Sequence, residues 1–203
     1  MLPVQYRDTL PLTAIASSAE RMSRAPESTI PWMENDELFA AELTKGHSWQ
    51  LYVAMRLLKE GITVQASRLQ LWRTEDGKVG RPPIEDFTKS DVDLLLGRDH
   101  PIPTEVKSRS LKFTSPEDFP YSTFIVGTVA SWADTEIPPE VVFYVSQPTQ
   151  AILALNVSRT RDTWTVAPNE DRNRGITSQC YFCEKKHLRT FDRVVEWLRA
   201  RDG

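Results

Sequence analysis

The chain has little cysteine. Its two cysteines, Cys180 and Cys183, are too few for the disulfide framework of a small secreted domain. Their Cys-x-x-Cys pair has no second pair to complete a four-ligand zinc site, and His187 is the one candidate for a third ligand nearby. We therefore expect two reduced thiols near the edge of a sheet.

The sequence also lacks any apolar run of the roughly 18 to 20 residues that a membrane-spanning helix needs. Its first residues, MLPVQYRDTLPLTAIASS, contain neither the basic start nor the continuous apolar stretch of a secretory signal. We expect a cytoplasmic protein with no membrane partner.

Net charge is small as well, at -3 near neutral pH with a pI of about 5.7. The chain as a whole is therefore not a polycation, although a local basic face can still contact phosphates. Basic residues cluster late in the chain, where they form either a solvated surface or a nucleic-acid contact: Arg159, Arg161, Arg172, Arg174, Lys185, Lys186, Arg189, Arg193, Arg199 and Arg201.

With 203 residues, of which 40% are apolar, the chain can bury one substantial core. Residues 1–33 combine four prolines with serine and threonine and show no sustained period, which predicts an irregular N-terminal arm. We expect a single domain over residues 34–203.

The clearest helix begins at Asn35 or Asp36 and ends at Gly61, a typical helix-terminating glycine. Its predicted buried face consists of residues at helical spacing: Leu38, Glu42, Trp49, Val53, Leu57 and Leu58. A second amphipathic helix lies near the C-terminus, and its apolar face carries Leu188, Phe191, Val195 and Leu198.

Between these helices, segments rich in alternating or β-branched residues predict strands. They are ITVQASRLQLW, DVDLLLG, IPTEVKS, STFIVGTV, VVFYVSQ, AILALNV and TWTVAP, with a short helix around ASWADT. The turn-rich GRDHP joins DVDLLLG and IPTEVKS into an antiparallel hairpin. This order predicts an α/β domain with a central mixed β-sheet flanked by helices.

If the hairpin pairs its two acidic faces, one or two aspartates, one glutamate and one lysine meet over the sheet. Residues two apart on a strand point to the same face, so Glu105 projects with Lys107, and Asp91 with Asp93. Carboxylates that meet at one place raise one another's pKa unless a cation is present. Oxygen ligands favour Mg²⁺ or Mn²⁺, and Lys107 can orient an attacking water or offset charge on a phosphate. A simple ion pair is the alternative interpretation.

The segments KGHSWQLYVAMRLLKEGITVQ, SDVDLLLG and TEVKSRS resemble the PD-(D/E)XK nuclease superfamily, and the last is most similar to archaeal Holliday-junction resolvases and phage-type relatives. The resemblance covers residues 35 to about 147. It implies a restriction-endonuclease-like core of order α-β-β-β-α-β, an aspartate and a glutamate that hold Mg²⁺, and a lysine that assists the attacking water.

The family's aspartate aligns with either Asp91 or Asp93. The proline that precedes it in the family is replaced by Ser90 or Val92. We favour Asp93, because the apolar run 94–96 follows it directly, and keep Asp91 as the alternative or as a second ligand.

Superfamily members often carry a glutamate on the first helix, a few residues after a Lys-Gly pair. Here Lys45 and Gly46 are followed by Gln50, whose amide oxygen can hold a metal-bound water but adds no charge. Glu42 lies two helical turns earlier on roughly the same side, and it is the alternative metal ligand.

Five residues are predicted to contact nucleic acid. They are Lys45 and His47 on the first helix, Arg109 and Lys112 at the end of the Glu-x-Lys strand, and Gln147 at the end of a neighbouring strand. Superfamily members often place a polar residue near the metal at this last position.

These expectations combine into a divalent-metal-dependent DNA endonuclease that hydrolyses phosphodiester bonds in a junction, flap or duplex. Cutting both strands of a symmetric substrate would favour a twofold homodimer. Gln50 in place of glutamate motivates the alternative, a non-catalytic nucleic-acid-binding or assembly module that keeps the nuclease fold.

Overall fold

The computed structural model describes residues 36–67, 72–73, 79–80, 92–98, 100–171 and 175–202. These residues belong to one unit, Asn35–Gly203, and the predicted arm over residues 1–33 lies outside them. Within the described ranges, helices and strands follow in the order α1 (Asp36–Lys59), β1 (Val64–Ala66), β2 (Trp72–Arg73), β3 (Val79–Gly80), β4 (Leu94–Leu96), β5 (Ile102–Arg109), β6 (Thr123–Thr128), α2 (Val129–Ala133), β7 (Val141–Ser146), β8 (Ile152–Asn156), β9 (Thr165–Asp171), β10 (Ile176–Glu184), β11 (Arg189–Thr190) and α3 (Phe191–Asp202).

The first helix, α1, ends as the sequence predicts. Gly61 adopts a left-handed backbone with a φ of 80°, a conformation that glycine reaches at little cost. The Gly61 amide donates to the Leu58 carbonyl at 3.0 Å, and the Ile62 amide donates to the Leu57 carbonyl at 3.1 Å. The last carbonyls of the helix are thereby paired, and the chain turns directly into β1.

The buried face of α1 is mostly the predicted one. Val53 and Leu57 are fully buried, and Trp49 packs against the same core. The prediction was wrong for Leu58, which is 50% exposed. Successive residues of a helix are about 100° apart, so the burial of Leu57 turns its neighbour towards solvent. The Leu38 side chain lies outside the described residues.

In the described part of the chain, the centre of the fold is a six-stranded mixed sheet of order β1-β4-β5-β7-β8-β11. Neighbouring strands are antiparallel except β5 and β7, which run parallel. The predicted hairpin is confirmed, because Leu94 lies opposite Thr104 and Leu96 opposite Ile102. The parallel pair requires a crossover, which β6 and α2 provide.

The first strand is shorter than predicted. ITVQASRLQLW predicts one strand, but only Val64–Ala66 belongs to the central sheet. Residues 68–71 lie outside the described ranges, and Trp72–Arg73 pairs with Val79–Gly80 in a separate two-stranded sheet. β4 offers β1 three pairing residues and no more, which limits the length of the strand.

A second sheet has the order β6-β10-β9. STFIVGTV forms a strand as predicted, yet it pairs with β10 and not with the central sheet. The expectation of thiols near a sheet edge was wrong: β10 is paired on both sides, and Cys180 and Cys183 on it are buried.

The two faces of the central sheet belong to two separate hydrophobic cores. On β5, Val106 packs against the core that includes α1 and α3. On β7, Val142 and Tyr144 are buried in the other core, together with residues of β6 and β10. Val142 pairs with Glu105 and Tyr144 with Lys107, and paired residues share a face. The charged residues of β5 therefore lie on the face of this second core.

The C-terminal helix, α3, is confirmed except at Leu188, which was wrongly placed on its apolar face because the helix begins only at Phe191. Phe191, Val195 and Leu198 are buried in the first core, and Leu188, just before the helix, is buried in the second. In the ranges that the structure describes, no helix is both long and apolar enough to cross a membrane.

Candidate functional site

Asp93 lies at the bend where β4 begins, and its side chain replaces a backbone acceptor. The Asp93 amide donates to the Thr104 carbonyl at 3.1 Å, although Thr104 is already the partner of Leu94, so the regular β4–β5 register ends here. Further along β5, the Val106 amide has no backbone acceptor on β4 and donates to Asp93 Oδ2 at 2.7 Å. The carboxylate is therefore held where β4 and β5 separate.

Helix α1 holds the other oxygen of this carboxylate. Gln50 Nε2 donates to Asp93 Oδ1 at 2.7 Å, and Gln50 Oε1 lies 3.0 Å from His47 Nδ1. Because the amide nitrogen faces Asp93, the amide oxygen accepts from a protonated His47 Nδ1. A chain of hydrogen bonds thus runs from His47 through Gln50 to Asp93.

Glu105 and Lys107 lie on the same face of β5. They pair with Val142 and Tyr144 of β7, and both act on the Asp93 carboxylate: Glu105 raises its pKa and Lys107 lowers it, so the three charged groups lie near one another. The Lys107 ammonium forms an ion pair with Glu105 Oε1. Only 17% of the Lys107 side chain is exposed, so this pair is better shielded from water than a surface ion pair.

The surroundings of Asp93 oppose its negative charge. Burial raises the pKa of Asp93 from 3.8 to about 6, and the nearby Glu105 carboxylate also raises it. The Val106 amide, the Lys107 ammonium and His47 act in the opposite direction without cancelling the effect of burial. At neutral pH the site therefore holds a carboxylate that a nearby cation would stabilise.

A second polar group lies at the far end of β5. Gln147 Nε2 donates to Ser108 Oγ at 3.1 Å, and the Gln147 amide donates to the Arg109 carbonyl at 2.8 Å. The Arg109 guanidinium carbon lies 5.8 Å from the centre of the Tyr144 ring. Burial raises the pKa of the Tyr144 phenol well above 10, so this ring is a neutral support for Arg109.

The structure brings four predicted catalytic residues together: Gln50, Asp93, Glu105 and Lys107. Asp91 and the Glu42 side chain, predicted as further ligands, lie outside the described residues.

Of the predicted nucleic-acid contacts, Arg109 and Gln147 touch each other through a main-chain hydrogen bond. Lys45 and Lys112 are exposed, whereas His47 and Arg109 are partly buried. Gln147 contacts Ser108, and His47 contacts Gln50.

Two contacts of the site were missed from the sequence, although His47 and Gln50 were themselves predicted. His47 and Gln50 are three residues apart on a helix, a spacing at which side chains meet, so their contact had a detectable signal. The Val106 amide had none, because a main-chain donor is present at almost every residue.

The donors at this site fit a hard divalent cation. The described residues contain no group of three or more His, Cys, Asp or Glu side chains arranged to hold a metal ion. Mg²⁺ commonly binds proteins through one or two carboxylates and keeps several waters. Asp93 and Glu105 are the residues that would hold it.

Known proteins offer little guidance for this chain. No family profile and no curated protein matches it. It is similar to a solved nuclease from a fusselovirus, with 11% sequence identity over 96% of each chain and a TM-score of 0.34. A similarity of this size carries no weight for fold or activity, so any assignment of function depends on the site itself.

Proposed function

We propose that this protein is a divalent-metal-dependent endonuclease that hydrolyses phosphodiester bonds in DNA. One observation carries the proposal: Asp93, Glu105 and Lys107 lie together where β4 and β5 separate, and burial opposes the charge of Asp93 there. Carboxylates kept where their charge is unfavourable are more often functional than structural.

The order of the elements supports the same proposal. With β2, β3 and β6 set aside because they belong to other sheets, α1, β1, β4, β5, α2 and β7 follow in the α-β-β-β-α-β order that the resemblance to PD-(D/E)XK nucleases implies. The Glu-x-Lys pair lies on β5, an interior strand of the sheet. Because fold alone does not fix function, the residues of the site carry the proposal.

Each side chain has a separate task in this reaction. Bound Mg²⁺ or Mn²⁺ supplies positive charge that polarises a phosphate oxygen and makes water a better nucleophile. Asp93 and Glu105 would hold the cation through their oxygens, and Gln50 keeps Asp93 in position. Lys107 orients the attacking water and offsets negative charge on the phosphate.

Cleavage of supercoiled plasmid in Mg²⁺, Mn²⁺ or EDTA tests this function. We expect nicks only with a divalent ion, and a loss of about a hundredfold or more in Glu105→Gln and in Lys107→Ala. A panel of linear, single-stranded, flap and four-way-junction DNAs then identifies the substrate.

Glu184 and Lys186 provide matched controls, because they repeat the Glu-x-Lys spacing as an exposed ion pair of 2.9 Å. Glu184→Gln and Lys186→Ala should cleave like the wild type. If folded Glu105→Gln and Lys107→Ala both keep full cleavage, the active site lies elsewhere.

The second candidate function is a nucleic-acid-binding or assembly module that keeps this fold without cleaving. Gln50 favours it, because this neutral side chain contacts Asp93 where a glutamate would add a ligand charge. Such a module would bind DNA in EDTA and produce no nicks with any divalent ion. Binding and cleavage measured on the same DNAs separate the two functions.

A further inference from the structure

A cavity of about 490 Å³ lies away from the Asp93 site. Val141 at the start of β7, the end of β8, the turn after it, His187, Arg189 and α3 form its walls. β7 is two strands away from β4, or roughly 10 Å at the usual spacing of about 4.8 Å between strands. No residue of the candidate site lines the cavity, so the two regions can be tested independently.

Guanidinium groups dominate the lining of this cavity. Arg159, Arg189 and Arg193 line it, and Glu196 is the one acidic side chain among the described residues that do so. Glu196 pairs with Arg193 at 2.9 Å, but the Arg193 side chain is 72% exposed and such pairs are weak. The cavity therefore has an excess of positive charge.

Hydrogen bonds hold the guanidinium of Arg189 and the backbone of Arg159. Arg189 Nη1 donates to the Lys186 and Leu188 carbonyls at 2.7 and 2.8 Å. Arg159 lies on a turn that Asn156 fixes, because Asn156 Oδ1 accepts from the Arg159 amide at 3.0 Å. Guanidinium groups arranged in advance lose less freedom when they bind an oxyanion.

The remaining walls add a ring and an apolar surface. His187 lines the cavity, although its Nε2 is itself buried. Val194 and Trp197 contribute apolar surface on the side of α3.

We propose that this cavity binds a phosphate-bearing ligand of nucleotide size. Arginine pairs with phosphate oxygens through parallel N–H donors, and a cavity of this volume is typical of small-molecule sites. Val194 and Trp197 would contact the apolar part of the ligand. The phosphate belongs either to a free nucleotide or to the backbone of a bound nucleic acid, and both sources use the same guanidinium groups.

Calorimetric titration of the full chain in EDTA tests this binding. The ligands are inorganic phosphate, a nucleoside monophosphate, the matching nucleoside and a short DNA duplex. We expect the monophosphate to bind more tightly than the nucleoside, and Arg159→Ala to weaken it by about tenfold or more. Arg161→Ala is the matched control, because Arg161 follows on the same turn, faces the Trp132 ring and does not line the cavity.

The pattern of losses identifies the source of the phosphate. Weaker binding of the monophosphate alone indicates a free nucleotide, weaker binding of the duplex alone indicates a nucleic-acid backbone, and a loss of both supports the shared chemistry. Thermal unfolding checks that Arg159→Ala is folded, and Arg159→Gln provides a milder second variant. The proposal is overturned if no phosphate-bearing ligand binds, or if both Arg159 variants bind them as tightly as the wild type.

Discussion

The substitution Asp93→Asn tests the electrostatics of the candidate site. The change removes the charge, yet it keeps an oxygen for the Val106 amide, and rotation of the Gln50 amide restores the second hydrogen bond. The rise in the pKa of Asp93 from 3.8 to about 6 corresponds to roughly 3 kcal/mol when the side chain is charged. We therefore expect Asp93→Asn to be about 1–3 kcal/mol more stable than the wild type at pH 8 without metal.

The pH dependence of this difference has a definite sign. The folded state binds the Asp93 proton more tightly than the unfolded state does. The stability that this preference contributes is complete below pH 3.8 and is lost as the pH rises through about 6. The advantage of Asp93→Asn should therefore grow by about 1.5 kcal/mol between pH 5 and pH 8.

Urea unfolding in EDTA, followed by tryptophan fluorescence at several pH values, measures both quantities. Asp162→Asn changes an exposed aspartate and should leave the free energy of unfolding nearly unchanged at each pH. Added Mg²⁺ should stabilise the wild type and not Asp93→Asn, because only the wild type keeps both carboxylates. If Asp93→Asn is no more stable than the wild type at pH 8, and the difference does not vary with pH, the electrostatic reasoning is refuted.

Three further substitutions test other features. Gln50→Glu should lower the free energy of unfolding by about 1–3 kcal/mol in EDTA, because a like charge replaces a donor to Asp93. It should also enlarge the rise in Tm when Mg²⁺ is added. A Tm equal to that of the wild type in EDTA would contradict this. Gly127→Ala should cost about 1–3 kcal/mol in urea unfolding, since its Cβ would lie 2.6 Å from Trp132 Nε1; an unchanged midpoint would show that the indole can move aside. Gly61→Ala should cost about 1 kcal/mol of stability because of its positive φ. Its control is Gly46→Ala, inside α1 with open space around the added Cβ, which should not lower the Tm. Equal losses of Tm for both would count against a helix-ending role for Gly61.

Local patterns were sufficient for the part of the site that lies on adjacent strands. Alternating residues and a turn-rich connection predicted the β4–β5 hairpin, which brings Asp93, just before β4, close enough to Glu105 for their charges to interact. The same patterns could not reveal that Asp93 Oδ2 would take a backbone amide, since that contact depends on the bend at the start of β4.

Long-range pairing explains what the sequence did not reveal about the second sheet. β6 was predicted as a strand, but its partner is β10, which pairs Thr128 with Cys180 far along the chain. β10 itself was missed, because a register shift between Tyr181 and Phe182 interrupts the period of two that predicts strands. The two cysteines then stood out as a motif, although they serve as buried apolar residues.

The position of β5 between two cores makes the candidate site sensitive to changes that never touch it. Val106 points into one core, and Tyr144, beside Lys107, fills the other. A smaller side chain at either residue would let the strand relax sideways and alter the spacing of the carboxylate and the ammonium. Random mutagenesis of this protein should therefore recover many inactivating changes at apolar positions, and the map of intolerant residues should trace both cores as clearly as the charged groups between them.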